Sequence, residues 1–416
     1  MKQARWYDIL QYVAMILMAA AMPVSWQLGL WMALALAAVS FVKLLFSRRV
    51  GNPALGNGLR WSLYAVLAYW LVYLISMLYS LDTATAWTVV SRKAVLLIFP
   101  LCFLLTDTTY LTPRHLRGLG YALLAAVCGV FIYFAYKALS SVSDGTSWVV
   151  VTGERFDARH HSYYALYAVV ALCFVYSEIA DRWKETKWWL RGLLIVSVPM
   201  LLLYILLVNS RAGVLAMILL LCCCLLYQAV ARRRWLPVLL VGALLVGGVY
   251  GMTHLLPGHK NRLGDTVAAL KQGKEGDVRA RITHSAVHAF SEQPVIGYGA
   301  GDYGDVLKEQ FYIDDEGVVG RLFNAHNQYM ETLLAVGIVG MIPFLGFLLL
   351  PVILGVYKRS RNGFTLAICA SMVLLNLVFE SMLERQMGLL FIGYLYSIMV
   401  LILSLEQNKF GRVQKS

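Results

Sequence analysis

The chain has 416 residues, of which 60% are hydrophobic and 14% are charged, and its formal net charge is +13. Soluble domains are nearer half apolar and a quarter charged, so this composition excludes a soluble enzyme, a nucleic-acid-binding domain and a disordered chain. The positive charge is interpreted as membrane topology rather than as a nucleic-acid surface. The sequence predicts an all-α integral membrane protein that crosses the bilayer many times.

Apolar runs of the length needed to cross a bilayer occur along the whole chain. They must be helical, because backbone groups find no water in the lipid core. About twelve transmembrane helices are predicted, over residues 9–25, 27–46, 61–80, 88–106, 118–140, 162–180, 188–208, 212–230, 235–256, 329–356, 363–380 and 387–404. A cleaved signal peptide at the N-terminus is the less favoured alternative for the first run, since its removal would disturb the charge alternation between loops.

Lys and Arg residues set the predicted orientation. The loops predicted to lie inside are basic, as in 182–191 and 232–234, whereas the outer turns at 23–27 and 81–87 contain neither Lys nor Arg. By the positive-inside rule, both termini are therefore predicted to be cytoplasmic.

Three regions follow from this topology. Residues 1–256 are predicted to form transmembrane helices one to nine, and 329–416 to form helices ten to twelve with a short cytoplasmic tail. The outer segment 257–328 between them is longer than most loops and is predicted to be a short helical cap. Within the cap, helical character is predicted for 265–271 and for 277–291, and Pro294 ends the second helix.

Basic residues on the predicted outer side need an explanation, because topology does not require them there. A planar guanidinium suits phosphate oxygens, so an anion site is one interpretation. Anchoring at the headgroups, a solvated helix face and structural ion pairs are the alternatives. The candidate residues are Arg211, Arg279, Arg281, Arg155, Arg159, His160 and His161, with Arg92 and Lys93 about one turn inside the fourth span.

The glycine-rich segment 294–303, Pro-Val-Ile-Gly-Tyr-Gly-Ala-Gly-Asp-Tyr, resembles a nucleotide-binding loop only superficially. No parallel βαβ unit surrounds it, so that interpretation is rejected. The segment is predicted instead to be a tight turn whose backbone approaches another element closely.

His326 stands at the predicted membrane interface, in the sequence Asn-Ala-His-Asn-Gln-Tyr-Met-Glu that enters the tenth span. A neutral histidine can accept and return a proton near neutral pH, which makes it a candidate general base. A helix-capping or hydrogen-bonded structural role is the alternative. The acidic run 314–316 fans out too widely for a metal site, and no metal or cofactor is predicted.

Four of these features, in this order, resemble the O-antigen ligase and polymerase superfamily of bacterial inner-membrane glycosyltransferases. They are the Ser-Arg-Ala-Gly turn at 210–213, the Arg281 helix with the glycine loop 294–301, the His-Asn-Gln-Tyr sequence at 326–329, and the glycines 337 and 340. The resemblance is specific over about 205–345 and architectural elsewhere.

The resemblance implies a GT-C-like membrane glycosyltransferase with its active site at the periplasmic face. It implies inverting transfer of O-antigen polysaccharide from undecaprenyl diphosphate to lipid A–core, without ATP or metal, to complete lipopolysaccharide. His326 corresponds to the family's general base, and Arg211 and Arg281 to its paired arginines, with Arg279 as the alternative to Arg281. Asn327 and Tyr329 belong to the same motif and are predicted, with the other outer-side basic residues, to contact substrate.

Three alternatives to a ligase remain open. An O-antigen polymerase or a protein O-oligosaccharyltransferase would use the same donor with another acceptor, although protein-directed relatives tend to carry a C-terminal extension that is not seen after the last predicted span. A lipid-linked oligosaccharide flippase belongs to a different class. The outer-side bias of the basic residues favours chemistry at one surface over alternating access.

Overall fold

The computed structural model describes residues 5–47, 49–143, 161–208, 210–226, 278–314, 324–357 and 362–413, together with 229, 233 and 242–243. Those ranges are built from α-helices, two short 3₁₀ turns and connecting loops, with no β-strand among them. The helices are α1 (Trp6–Val24), α2 (Trp26–Ser47), α3 (Asn57–Ser76), α4 (Thr83–Lys93), α5 (Val95–Leu105), α6 (Pro113–Ser143), α7 (His161–Asp181), α8 (Trp188–Val208), α9 (Arg211–Leu226), α10 (Val278–Glu292), α11 (Tyr303–Asp314), α12 (Gln328–Tyr357), α13 (Gly363–Phe379) and α14 (Gln386–Val413).

Apolar helices account for most of the described chain. Nine candidate spans among the described residues are long and apolar enough to cross a membrane, if α4 and α5 are taken as one span, and α9 and α13 are shorter apolar helices. The prediction of an all-α, multi-pass membrane protein is therefore confirmed. The predicted ninth span, 235–256, and the predicted helical stretch 265–271 lie outside the described residues, apart from 242–243, so the number twelve stays a prediction.

Two predicted spans are interrupted helices. The fourth begins at Thr83, earlier than expected, because Asp82 caps it: the Asp82 carboxylate accepts a hydrogen bond from the backbone N–H of Thr85 at 2.9 Å. It then breaks at Ala94, between α4 and α5. The tenth, α12, has non-helical dihedral angles at Gly337, with φ of 61°.

The chain divides into two compact units. The first contains residues 1–122, 275–370 and 377–416, and the second contains 123–274 and 371–376. In the first unit α1 packs along α2 and α3 packs along α12, while in the second α7 packs against α8 and α9.

The described part of the predicted cap belongs to the first unit. Its helix α10 ends at Glu292, two residues before Pro294, close to the prediction, whereas α11 was not expected. The two helices form one apolar cluster with the start of α12, made by Ile282, Ala286, Ala289, Leu307, Phe311, Ala325 and Leu334. This cluster attaches the cap helices to the segment that contains His326.

Candidate active site

The glycine-rich segment 294–302 lies against the break in α12. Four backbone hydrogen bonds join them: Tyr298 N–H to Leu334 O at 2.8 Å, Gly299 N–H to Ala335 O at 2.9 Å, Ile338 N–H to Pro294 O at 3.0 Å and Val339 N–H to Val295 O at 3.1 Å. The helix carbonyls and amides freed by the break thus find partners in the loop. The prediction that this loop is a close backbone approach is confirmed.

The other side of the same loop is bound to the end of α3. Two loop amides donate to serine hydroxyls: Ala300 N–H to Ser76 Oγ and Gly301 N–H to Ser80 Oγ, both at 3.1 Å. The Asp302 carboxylate accepts from Leu81 N–H at 2.7 Å and from Asp82 N–H at 2.8 Å. The phenol of Tyr298 also donates to Ala289 O at 2.8 Å; burial and then the hydrogen bond with Glu292 raise the pKa of Tyr298 to about 12. The loop therefore connects α3, α10 and α12.

Gly337 is the position where a side chain is least compatible with this arrangement. A Cβ there would lie 2.2 Å from Val295 O, and its φ of 61° is in the left-handed region. We expect Gly337→Ala to lower the free energy of unfolding by about 3 kcal/mol, because strain and a steric clash with backbone add together. Thermal unfolding in detergent measures this loss.

Gly304→Ala is the matched control, since no atom lies within 4 Å of the added Cβ. A Gly337→Ala protein as stable as the Gly304→Ala protein would contradict the account of the break.

His326 immediately precedes the cap of α12. Asn327 caps this helix, because its Oδ1 accepts from the backbone N–H of Tyr329 at 2.9 Å and of Met330 at 3.2 Å. His326 itself has a φ of 49°, which is uncommon for a residue with a side chain, and its N–H donates to Asn324 Oδ1 at 3.1 Å. Such strained residues persist where the surrounding structure over-determines them, often at functional sites.

The imidazole of His326 faces a carboxylate. Its Nδ1 lies 3.8 Å from Glu380 Oε1, and the side chains are 36% and 17% exposed. Within the described residues this Nδ1 has no hydrogen-bond partner. The His326 side chain is thus partly exposed and lies beside an acidic residue.

Next to the His326–Glu380 pair, buried polar side chains join the start of α12 to the 380–385 segment. Glu331 Oε1 accepts from Ala325 N–H at 2.6 Å and from the Ser381 hydroxyl at 3.2 Å. Gln328 accepts from Leu383 N–H at 2.6 Å through its Oε1 and donates to Glu384 Oε1 at 3.2 Å through its Nε2.

Lys93 and Glu384 form an ion pair in the same network. Lys93 Nζ lies 2.7 Å from Glu384 Oε1, and its side chain is 1% exposed. Burial alone would raise the pKa of Glu384, but the charge and hydrogen bond of Lys93 hold it below the ordinary value. The stability that this carboxylate supplies is therefore present at neutral pH and lost as the pH falls through its lowered pKa. Arg92 donates to the backbone O of Glu384 at 2.8 Å.

These contacts give Arg92 and Lys93 protein partners, so their positions are explained without a substrate. Lys93 is almost fully buried. Tyr303 also belongs to the network, since its hydroxyl donates to Glu384 Oε2 at 3.1 Å; burial and then the charge of Glu384 raise the pKa of Tyr303 well above its usual value.

The two predicted motif arginines lie in different units. Arg211, in the second unit, is the first residue of α9, and the preceding Ser210 accepts a hydrogen bond from Gly213 N–H at 3.2 Å as a helix cap. Arg281, in the first unit, lies in the second turn of α10 and is partly buried. Arg279 is in the first turn of the same helix, and its side chain lies outside the described set.

Other predicted contact residues are placed only in part. His161 is the first residue of α7, while Arg155, Arg159 and His160 lie outside the described residues. The ring of Tyr329 packs edge-on against Phe344 at 5.7 Å between centroids, within the first unit.

Comparison with known families bears on the same segment. Residues 195–345 match a family model described as O-antigen ligase. This part of the chain is therefore similar to the O-antigen ligase family. This match includes Arg211, Arg281, the glycine loop and His326, and it confirms the resemblance to the superfamily. A search of curated proteins finds no significant match.

The acidic residues near His326 were missed in the sequence. Glu331, Glu380 and Glu384 all stand at ends of apolar segments, where a carboxylate is costly unless it is paired or functional. The cost of a charged group in an apolar segment is the sequence feature that marks these three acids, as it marks the basic residues on the predicted outer side.

Proposed function

We propose that this protein is an O-antigen ligase, which transfers O-antigen polysaccharide from undecaprenyl diphosphate to a sugar hydroxyl of lipid A–core. The observation that best supports the proposal is the position of His326. It lies inside the segment that matches the O-antigen ligase family, is held in a strained conformation before α12, and has its Nδ1 3.8 Å from Glu380.

In the proposed reaction, the acceptor hydroxyl oxygen attacks the anomeric carbon of the donor glycan. The bond from that carbon to the diphosphate oxygen breaks, and undecaprenyl diphosphate leaves with the electron pair. His326 removes the hydroxyl proton as the new glycosidic bond forms, and Glu380 orients the imidazole and stabilises its positive charge. Attack from the face opposite the leaving group inverts the anomeric centre.

Departure of the diphosphate builds negative charge, which Arg211 and Arg281 are proposed to stabilise. Two fixed guanidiniums placed where charge develops can supply what a metal ion supplies in other transferases. The glycosyl–diphosphate bond carries the driving force, so ATP is not needed. We propose no cofactor.

The remaining assignments follow from the same proposal. Both termini are placed in the cytoplasm of a bacterium and the active site at the periplasmic face of the inner membrane, where donor and acceptor lipids are both present. Arg279, His161, Asn327 and Tyr329 stay candidate substrate contacts, as do the residues predicted in 155–160. The lipid-linked glycan, lipid A–core and membrane lipid are the proposed partners.

We expect Arg211→Ala to reduce transfer by about 10²-fold or more, the usual cost of removing one group that stabilises developing charge. Arg211→Lys keeps the charge but loses the planar fork, so it should recover only part of the activity. The measurement is the amount of glycan-bearing lipopolysaccharide made in a bacterial strain that lacks its own ligase, normalised to the amount of membrane-inserted protein.

Arg114→Ala is the control for loss of an arginine, because Arg114 is exposed at the start of α6 on the predicted cytoplasmic side. Wild-type transfer by Arg211→Ala would contradict the proposed diphosphate site. Glycan longer on its lipid carrier, or attached to protein, would instead indicate a polymerase or a protein O-oligosaccharyltransferase.

A further inference from the structure

Glu331 contacts both sides of the His326–Glu380 pair through their chain neighbours. Its Oε1 accepts from the N–H of Ala325, the residue before His326, at 2.6 Å. The same oxygen accepts from the hydroxyl of Ser381, the residue after Glu380, at 3.2 Å. We infer that Glu331 is a positioning residue that sets the imidazole of His326 against the carboxylate of Glu380.

The His326 segment needs such a tie because its backbone is not held by helix geometry. His326 has a φ of 49° and precedes the capping residue of α12, and its own N–H is bonded only locally, to Asn324. A residue in this conformation costs of the order of 1–3 kcal/mol unless its neighbours fix it. The Glu331 hydrogen bond fixes the peptide that leads into His326.

Glu380 lies in the short connection between α13 and α14. Glu380 follows the end of α13 with extended backbone, and a single 3₁₀ turn begins at Met382. The hydrogen bond from Ser381 joins this connection to Glu331, one residue away from the carboxylate that faces His326.

Glu331 is itself on a rigid support. It lies in the first turn of α12, is 1% exposed, and the next residue, Thr332, hydrogen-bonds the buried Tyr69 of α3 at 3.2 Å. Catalytic groups must be held within about 0.5 Å of productive geometry, and packed helices hold them better than loops. The packing of α3 against α12 therefore fixes Glu331, and the two hydrogen bonds of Glu331 in turn fix the segments that contain His326 and Glu380.

This role depends on an acceptor oxygen at Glu331 rather than on its negative charge, since a single oxygen makes both hydrogen bonds. Glu331→Gln keeps that oxygen and the shape of the side chain, whereas Glu331→Leu removes it. We expect Glu331→Leu to lower kcat about 10- to 100-fold, the scale of a 1 Å misplacement, with KM for both lipids within about two-fold. Glu331→Gln should stay within about three-fold of wild type.

The experiment measures kcat and KM in detergent for Glu331→Leu, Glu331→Gln, Ser381→Ala and the control Glu178→Gln. Glu178 is also fully buried and pairs with Arg182 in the second unit, so it reports the general cost of changing a buried carboxylate. Ser381→Ala removes one of the two hydrogen bonds and should lower kcat several-fold, about 3- to 10-fold, even if Glu331→Leu fails to insert.

Wild-type kcat in Ser381→Ala or in a folded Glu331→Leu protein would overturn the inference, as would a Glu331→Gln protein as impaired as Glu331→Leu. The inference rests on the proposed function, so His326→Ala is measured beside these variants. An active His326→Ala protein refutes the proposed base itself. An inactive His326→Ala protein together with wild-type kcat in Ser381→Ala refutes only the positioning role of Glu331.

Discussion

Replacing His326 with alanine should reduce glycan transfer by about 10²- to 10⁴-fold, the range that a general base contributes. The acceptor hydroxyl would then have to lose its proton to solvent, while the guanidiniums proposed to stabilise the leaving diphosphate remain. KM should change little, because the imidazole is proposed to remove the hydroxyl proton during the reaction rather than to bind the lipids. The rate of transfer by purified protein in detergent measures the loss.

His284→Ala is the matched control for removing a histidine. The His284 side chain is 78% exposed on α10, and the proposed mechanism gives it no role. The two variants should elute as the same folded species, so a difference in activity reports chemistry. Equal transfer by His326→Ala and His284→Ala would contradict the assignment of the base.

Breaking the buried ion pair should have the largest effect on stability. We expect Lys93→Met to lower the free energy of unfolding by about 3–5 kcal/mol, because Glu384 is then left charged in a buried position. The double change Lys93→Met with Glu384→Gln should recover much of this loss, since no uncompensated charge remains. Thermal unfolding in detergent near pH 7 compares the variants.

A surface pair supplies the control. Lys308 lies 2.6 Å from Asp305, but the side chains are 56% and 74% exposed. Lys308→Met should change stability by less than about 1 kcal/mol, because solvent screens such pairs. A Lys93→Met protein as stable as Lys308→Met would show that the Lys93–Glu384 pair does not hold α4 to the segment before α14.

Local patterns were enough to predict part of the structure. Apolar runs located most of the described spans, and the regular spacing before Pro294 located α10. The density of glycines in 294–301 predicted a close backbone approach, because only residues without a Cβ allow it. In each case the signal lies within a few consecutive residues.

The partners of these segments were not predictable in the same way. The glycine loop contacts α12 at Gly337, and it contacts Ser76 at the end of α3 and Ser80 just after it. These partners lie far away along the chain. Glu380 and His326 are likewise separated by more than fifty residues, and no local pattern states that they meet. Hydropathy also conceals breaks such as Ala94 and Gly337, because the apolar run continues through them.

The central claim is glycan transfer to lipid A–core, and a reconstituted reaction tests it most directly. Purified protein, lipid A–core and undecaprenyl-diphosphate-linked glycan are mixed in detergent with EDTA and without ATP, and the lipids are separated by size. The account predicts a ladder of glycan-bearing lipid A–core that forms with wild-type protein. Folded protein that leaves lipid A–core unmodified while the donor is consumed or elongated would contradict it.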